Sequence, residues 1–280
     1  MSSTSQNPLS GHFRQPALHL KLPSGGQFYT PDSIDMPVTG EIPVYPMTVK
    51  DELSLKTPDA LMNGSGVVAV IQSCCPNIRN AWQVPSLDLD RILIAIRLAT
   101  YGSGMDVNSN CPHCGERNEH TVDLRTVLDN APTVDFQKTS EIDNLVFKFK
   151  PQNYRGITQT GQVAFEEQRL VDSITRNTSL PEEEKLRLFN KSFDKLKQMN
   201  VDVIVNSILS IVTPDGTEVT SAVYITEFIN NCSRQSYMKI KDQIQELVNT
   251  LRLPDLDLTC DECSKAYKSK MDFDTTNFFV

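Results

Sequence analysis

The chain has 280 residues, enough for one large core or two smaller ones, and its apolar and charged shares are ordinary for a soluble globular protein. A formal charge of −8 and the lack of a long basic run argue against a dedicated nucleic-acid binder. No apolar stretch approaches the length of a bilayer span, and Met1 opens a polar segment without a signal-peptide core. The expectation is a cytosolic origin, where disulfides are disfavoured.

Residues 1–46 are rich in proline (Pro8, Pro16, Pro23, Pro31, Pro37, Pro43 and Pro46), and no helical period survives there. Short alternating pieces remain, such as Ala17-Leu18-His19-Leu20-Lys21-Leu22 and Gln27-Phe28-Tyr29. A loose tail is one reading. The alternation favours the other, an extended arm that adds to a sheet edge or docks on a neighbour, with Leu20, Leu22 and Phe28 as its candidate partner-binding residues.

Residues 47–104 read as helical. Thr48 caps a short helix with Asp51 at its third position, and Thr57-Pro58-Asp59 opens another. Val67 to Ile71 suits a buried helix better than a strand. Ser86 is expected to cap the most apolar helix, which runs to Gly102. Its narrow polar seam carries Asp90 and Arg97, either a buried pair, an exposed edge or a partner contact.

A first hairpin is expected over residues 105–125 and a mostly helical insert over 126–253. Leu145 to Lys150 alternates as a half-buried strand. Helices follow over Tyr154 to Arg176, from Pro181, from a cap at Asn200 through Ile208 and Leu209, from Ser221 and from Ser233. Residues 254–280 form a second hairpin and a tail.

Two motifs bracket the insert: Cys111-Pro112-His113-Cys114 and Cys260-Asp261-Glu262-Cys263. Met105-Asp106-Val107 and Leu256-Asp257-Leu258 precede them. Val122-Asp123-Leu124 and Met271-Asp272-Phe273 follow at equal spacing. Each pair therefore sits at the tip of a β-hairpin. Four cysteines in two such pairs suit the corners of a tetrahedral structural zinc site, a ribbon split by the whole insert. Such a site is closed and leaves no position for a catalytic water. The remaining Cys74, Cys75 and Cys232 read as packing.

Cys-Pro-His-Cys is also the active-site sequence of strong disulfide oxidants. Those need the pair at a helix N-terminus, whereas Asn118 to Val122 reads as a strand. Lys265, Lys268 and Lys270 beside the second pair keep a zinc-ribbon nucleic-acid-binding protein as the alternative. No phosphate loop or nucleophile elbow is present. The reading is an α+β protein with a mostly helical core, a small split zinc-ribbon β module and an extended N-terminal arm.

Several phrases resemble one family. They are Pro58-Asp59-Ala60-Leu61-Met62-Asn63-Gly64, Ser73-Cys74-Cys75-Pro76-Asn77-Ile78, Leu89 to Arg97, Ala99-Thr100-Tyr101-Gly102 and Cys111 to Gly115. They are similar to the T-even-type phage baseplate proteins, the group that includes baseplate hub assembly factors. The likeness is densest over residues 45–125 and none of its phrases is a catalytic signature. It implies a virus-encoded, non-enzymatic structural or assembly protein of a contractile tail. Such a protein binds hub or wedge subunits in the host cytoplasm and, if retained, resides in the virion tail baseplate.

Overall fold

The computed structural model describes residues 7–57, 63–130, 136–177, 179–270 and 278–279. The helix expected to follow Thr57, from Pro58 and Asp59 on, and the phrase Met271-Asp272-Phe273 lie outside those residues. The chain is mixed helix and sheet, organised around two clusters of buried apolar side chains.

The first cluster is centred on three helices, Val49–Leu55 (α1), Ser65–Cys74 (α2) and Ser86–Tyr101 (α3). Thr48 caps α1 in a reciprocal box with Asp51, as its spacing requires. Gly64, at φ +76°, lets the chain turn into α2. Val67, Val68, Val70 and Ile71 are buried there, so the apolar run is helical. Cys74 and Cys75 are fully buried, and burial pushes both thiols above their ordinary range. In α3 the cap is Pro85 in extended backbone, and Ser86, expected as the cap, is the first helical residue. Its N–H bonds the Gln152 carbonyl at 2.7 Å, so the chain crossing over from the insert serves this helix end.

The Pro-rich segment is no free arm. Leu18–Lys21 (β1) and Glu41–Val44 (β2) pair antiparallel and lie on α3. Leu20 is 7% exposed and Leu22 1%, so both face the chain's own core, a correction to the docking arm expected above. The reason is local: alternation supplied one apolar face, and the nearest apolar surface is the chain's own α3. Phe28 is half-buried, with its ring edge-on to Phe136. Arg14 donates to the Ser73 carbonyl (2.7 Å) and hydroxyl (2.8 Å) and pairs with Asp51, pinning the entry of the segment to α1 and α2.

A buried carboxylate fastens the same segment to α3. Asp88 accepts from the Ser24 N–H (3.0 Å), the Ser24 hydroxyl (2.5 Å) and the Tyr29 hydroxyl (3.1 Å). Burial raises its pKa above the usual carboxylate range, against the lowering effect of those bonds. An unfolded Asp ionises near ~3.9. With the folded value raised, the folded chain holds a proton that the unfolded chain has lost. Stability from this group is then full at low pH and falls as pH rises from about 4. Asp88→Asn has no proton to lose. Its deficit in Tm against the parent is expected to be largest near pH 4 and to shrink by pH 7. A deficit that widens with pH would mean that the ionised form is the preferred one.

The second cluster belongs to the insert, which carries more sheet than its sequence suggested. Thr139–Ile142 (β5), Leu145–Phe149 (β6), Ile208–Val212 (β7) and Glu218–Val219 (β8) form an antiparallel sheet in that order. Helices Tyr154–Arg176 (α5) and Glu182–Ser207 (α6) link β6 to β7. The cap expected at Asn200 does not exist, because α6 runs unbroken through it. Ile208 and Leu209, read as helical, open β7: their β-branched, alternating run pairs with Val146 to Phe149. Ala222–Asn231 (α7) and Arg234–Leu251 (α8) complete this cluster, with Phe147, Ile225, Ile229 and Ile240 buried at its centre.

Candidate metal centre

Two hairpins carry the cysteines. Gly104–Asn110 (β3) pairs with Arg117–Asp123 (β4), and Leu256–Thr259 (β9) pairs with Ala266–Ser269 (β10). A short helix, Leu124–Asp129 (α4), follows the first and buries Leu124 and Val127 against the body.

The tips repeat one geometry. The Cys111 N–H bonds the Glu116 carbonyl (2.8 Å), and the Cys260 N–H bonds that of Lys265 (3.0 Å). One turn closes from the Gly115 N–H to the Cys111 carbonyl, the other from the Ser264 N–H to the Cys260 carbonyl, both at 2.9 Å. The fifth position is left-handed in each, at φ +79° for Gly115 and +54° for Ser264. Glycine takes that conformation freely, while an L side chain is strained by about 1 kcal/mol. No atom lies within 4 Å of a Cβ built on Gly115. Gly115→Ser is therefore expected to cost about 1 kcal/mol through the backbone alone. Ser264→Gly should be neutral to mildly stabilising. Urea midpoints of the two variants check both, and equal losses would deny that the tips are equivalent.

The four sulfurs of Cys111, Cys114, Cys260 and Cys263 lie within 4.8 Å of one another. Across the two tips, Cys111 faces Cys263 at 3.7 Å and Cys114 faces Cys260 at 3.6 Å. A tetrahedral ion with metal–sulfur bonds of about 2.3 Å places its sulfurs ~3.8 Å apart, so the donor set fits one four-thiolate metal. All four are free thiols. Cys260 is drawn down to about 6, with the Cys263 N–H and then that of Glu262 favouring its thiolate. The His113 N–H points at the Cys111 sulfur (3.4 Å). After Cys114 the chain enters β4, so the pair does not sit at a helix N-terminus as the oxidant reading requires.

Residues that sequence reasoning passed over brace the tips. Asn118 is 3% exposed. Its side-chain oxygen accepts from the Asp261 N–H (2.8 Å), and its amide donates to the Glu116 carbonyl (3.0 Å). Ser109 and Tyr267 share a hydrogen bond of 2.6 Å, and His120 lies 3.3 Å from the same hydroxyl. The one hint was a polar Asn on the inward side of β4; its partner, distant in sequence, gave none. Of the nearby lysines, Lys268 reaches Asp257 at 3.7 Å.

Two candidate partner residues sit elsewhere. Arg97 is 9% exposed: its guanidinium lies between the Tyr101 and Phe278 rings and donates to the Phe278 carbonyl. This corrects Arg97 as a partner contact, since the chain's own C-terminal end takes it. Asp90 is half-buried on the same helix.

Taken together, these features define a mixed α/β body whose sequence-distant hairpins converge on a four-thiolate cluster able to hold a metal ion. The model of the family described as T4 bacteriophage base plate protein matches residues 15–280, nearly the whole chain, and the protein belongs to that family. None of the curated proteins and none of the solved structures compared with it matches. No helix among the described residues is long and apolar enough to cross a membrane.

Proposed function

We propose that Cys111, Cys114, Cys260 and Cys263 hold one zinc ion in a split zinc ribbon. The protein would then be a non-enzymatic structural or assembly component of the contractile-tail baseplate, binding hub or wedge subunits as it forms. The family match over residues 15–280 carries the baseplate reading, and the four-thiolate donor set supports zinc. Held by these four thiolates, a zinc ion would supply a cross-link between the two hairpins. The chain's own residues do the rest: backbone N–H groups point at the Cys111 and Cys260 sulfurs, and Asn118 with the Ser109–Tyr267 pair fixes the facing of the hairpins. Asp90 and Phe28, which keep part of their surface, remain candidates to meet a partner. Of the three lysines that carry the nucleic-acid alternative, Lys268 pairs with Asp257 and all three are exposed.

The test is genetic. Removal of the gene from its phage should leave infected cells without complete baseplates by electron microscopy, and the cloned gene should restore them. Infective tails formed in its absence would end the assembly reading. Metal analysis of the purified chain should find one zinc per molecule, and a content near zero would end the zinc reading.

A further inference from the structure

Beside the second core lies a groove of about 390 Å³. Its walls are the second half of α6 and one face of α8. Its end is closed by residues 150–152 and the start of α5. Ile204 and Ile244 are buried at its floor, while Ile157 and Val248, 37% and 44% exposed, leave apolar surface at its edge. Two cations line it, Lys150 and Lys241, and no carboxylate does. That is unusual in a chain of net charge −8.

Several other lysines of the insert face acids: Lys138 meets Glu246, Lys148 meets Glu218, Lys195 meets Glu166 and Glu167, and Lys239 meets Asp143, whereas Lys191 and Lys197 on α6 have no acid within ion-pair distance among the described residues. Among the described residues, neither Lys150 nor Lys241 has an ion pair. Lys150 is half-buried, held by its N–H on the Ser207 carbonyl (2.9 Å), and loss of water lowers its pKa. A part-desolvated cation beside apolar surface is stabilised by an incoming carboxylate whose neighbours are apolar.

We propose that this groove docks an acidic, apolar segment of another protein, with its carboxylates on Lys150 and Lys241 and its apolar side chains over Ile157, Ile244 and Val248. The inference rests on the reading of the chain as a baseplate component, which makes the partner a protein. A volume in this range also admits a small amphiphile, which the test separates.

The probes are 15-residue peptides tiled across the other baseplate proteins of the same phage, titrated against the full chain by fluorescence anisotropy. Peptides that bind should carry Asp or Glu beside Leu, Ile or Phe. Lys150→Gln with Lys241→Gln should weaken them at least tenfold, at an unchanged unfolding temperature. Val248→Glu, on an exposed position, should do the same. Lys241→Glu should regain binding to a peptide whose acid is changed to Lys. Three results overturn the proposal: no tiled peptide binds, binding ignores these substitutions, or decanoate binds and the peptides do not. A phage whose missing gene is complemented equally by the parent and by the Lys150→Gln, Lys241→Gln gene loses the groove and keeps the assembly role. A phage that builds normal baseplates without the gene loses the assembly role, and the peptide titration then decides the groove alone.

Discussion

Cys111→Ser and Cys260→Ser are each expected to destabilise the protein by on the order of 5 kcal/mol, and the double variant scarcely further. Zinc in comparable four-ligand sites contributes ~10–16 kcal/mol, which is folding energy because the site does not exist in the unfolded chain. Losing one thiolate forfeits much of it, and a second loss in the same site has little left to remove. The two residues lie in hairpins separated by the whole insert, yet their sulfurs belong to one cluster. Closing so long a loop restricts the unfolded chain by a further ~5 kcal/mol on the chain-entropy estimate for a permanent link. Chelation of the parent protein should reproduce the single variants. Denaturant titration of all three variants is the measurement. Strictly additive losses would mean two independent sites.

Removing residues 1–46 is expected to abolish cooperative unfolding of the body, the opposite of what a docking arm would give. Leu20, Leu22, Ile42 and Val44 are part of the first core, and Asp88 would be left buried without Ser24 and Tyr29. An unpartnered buried acceptor costs roughly 1–3 kcal/mol by itself. Leu22→Ala alone should cost about 2–5 kcal/mol, as for other fully buried leucines. Circular dichroism during heating reads both. A truncated chain that melts cooperatively at the parent temperature would show that the segment is an accessory after all. Because the truncation unfolds the protein, it cannot test assembly. Removal of the whole gene tests assembly, and the Lys150 and Lys241 variants, whose positions are not core, test the groove.

The clustering of the four cysteines was legible because each pair has the form of a turn with two residues between its cysteines and strands on either side, a spacing that suits metal ligands. Helix α3 was legible because it is apolar on nearly every side, and α8 because one face is apolar at helical period over several turns. The break in α6 was misread at Asn200 because a polar residue ahead of an apolar run has the local form of a cap. What overrides it is tertiary: Val201, Ile204 and Val205 pack on the second core as a continuation of the same helix. The sheet β5 to β8 was mostly missed because its strands are two to five residues long, too short for a period to establish itself.

By itself, the sequence determined the elements whose causes are local: the capping box at Thr48, the apolar helix ended by Gly102, and the two cysteine-bearing turns. The tertiary structure decided where each apolar face was buried. Alternation in residues 17–22 requires a covering surface but does not say whose, and α3 of the same chain supplies it. In the same way Arg97 needed a partner for its charge, and the Phe278 carbonyl, from the far end of the chain, provides it. Contacts of this kind depend on the position of the whole backbone, and no window of sequence contains them.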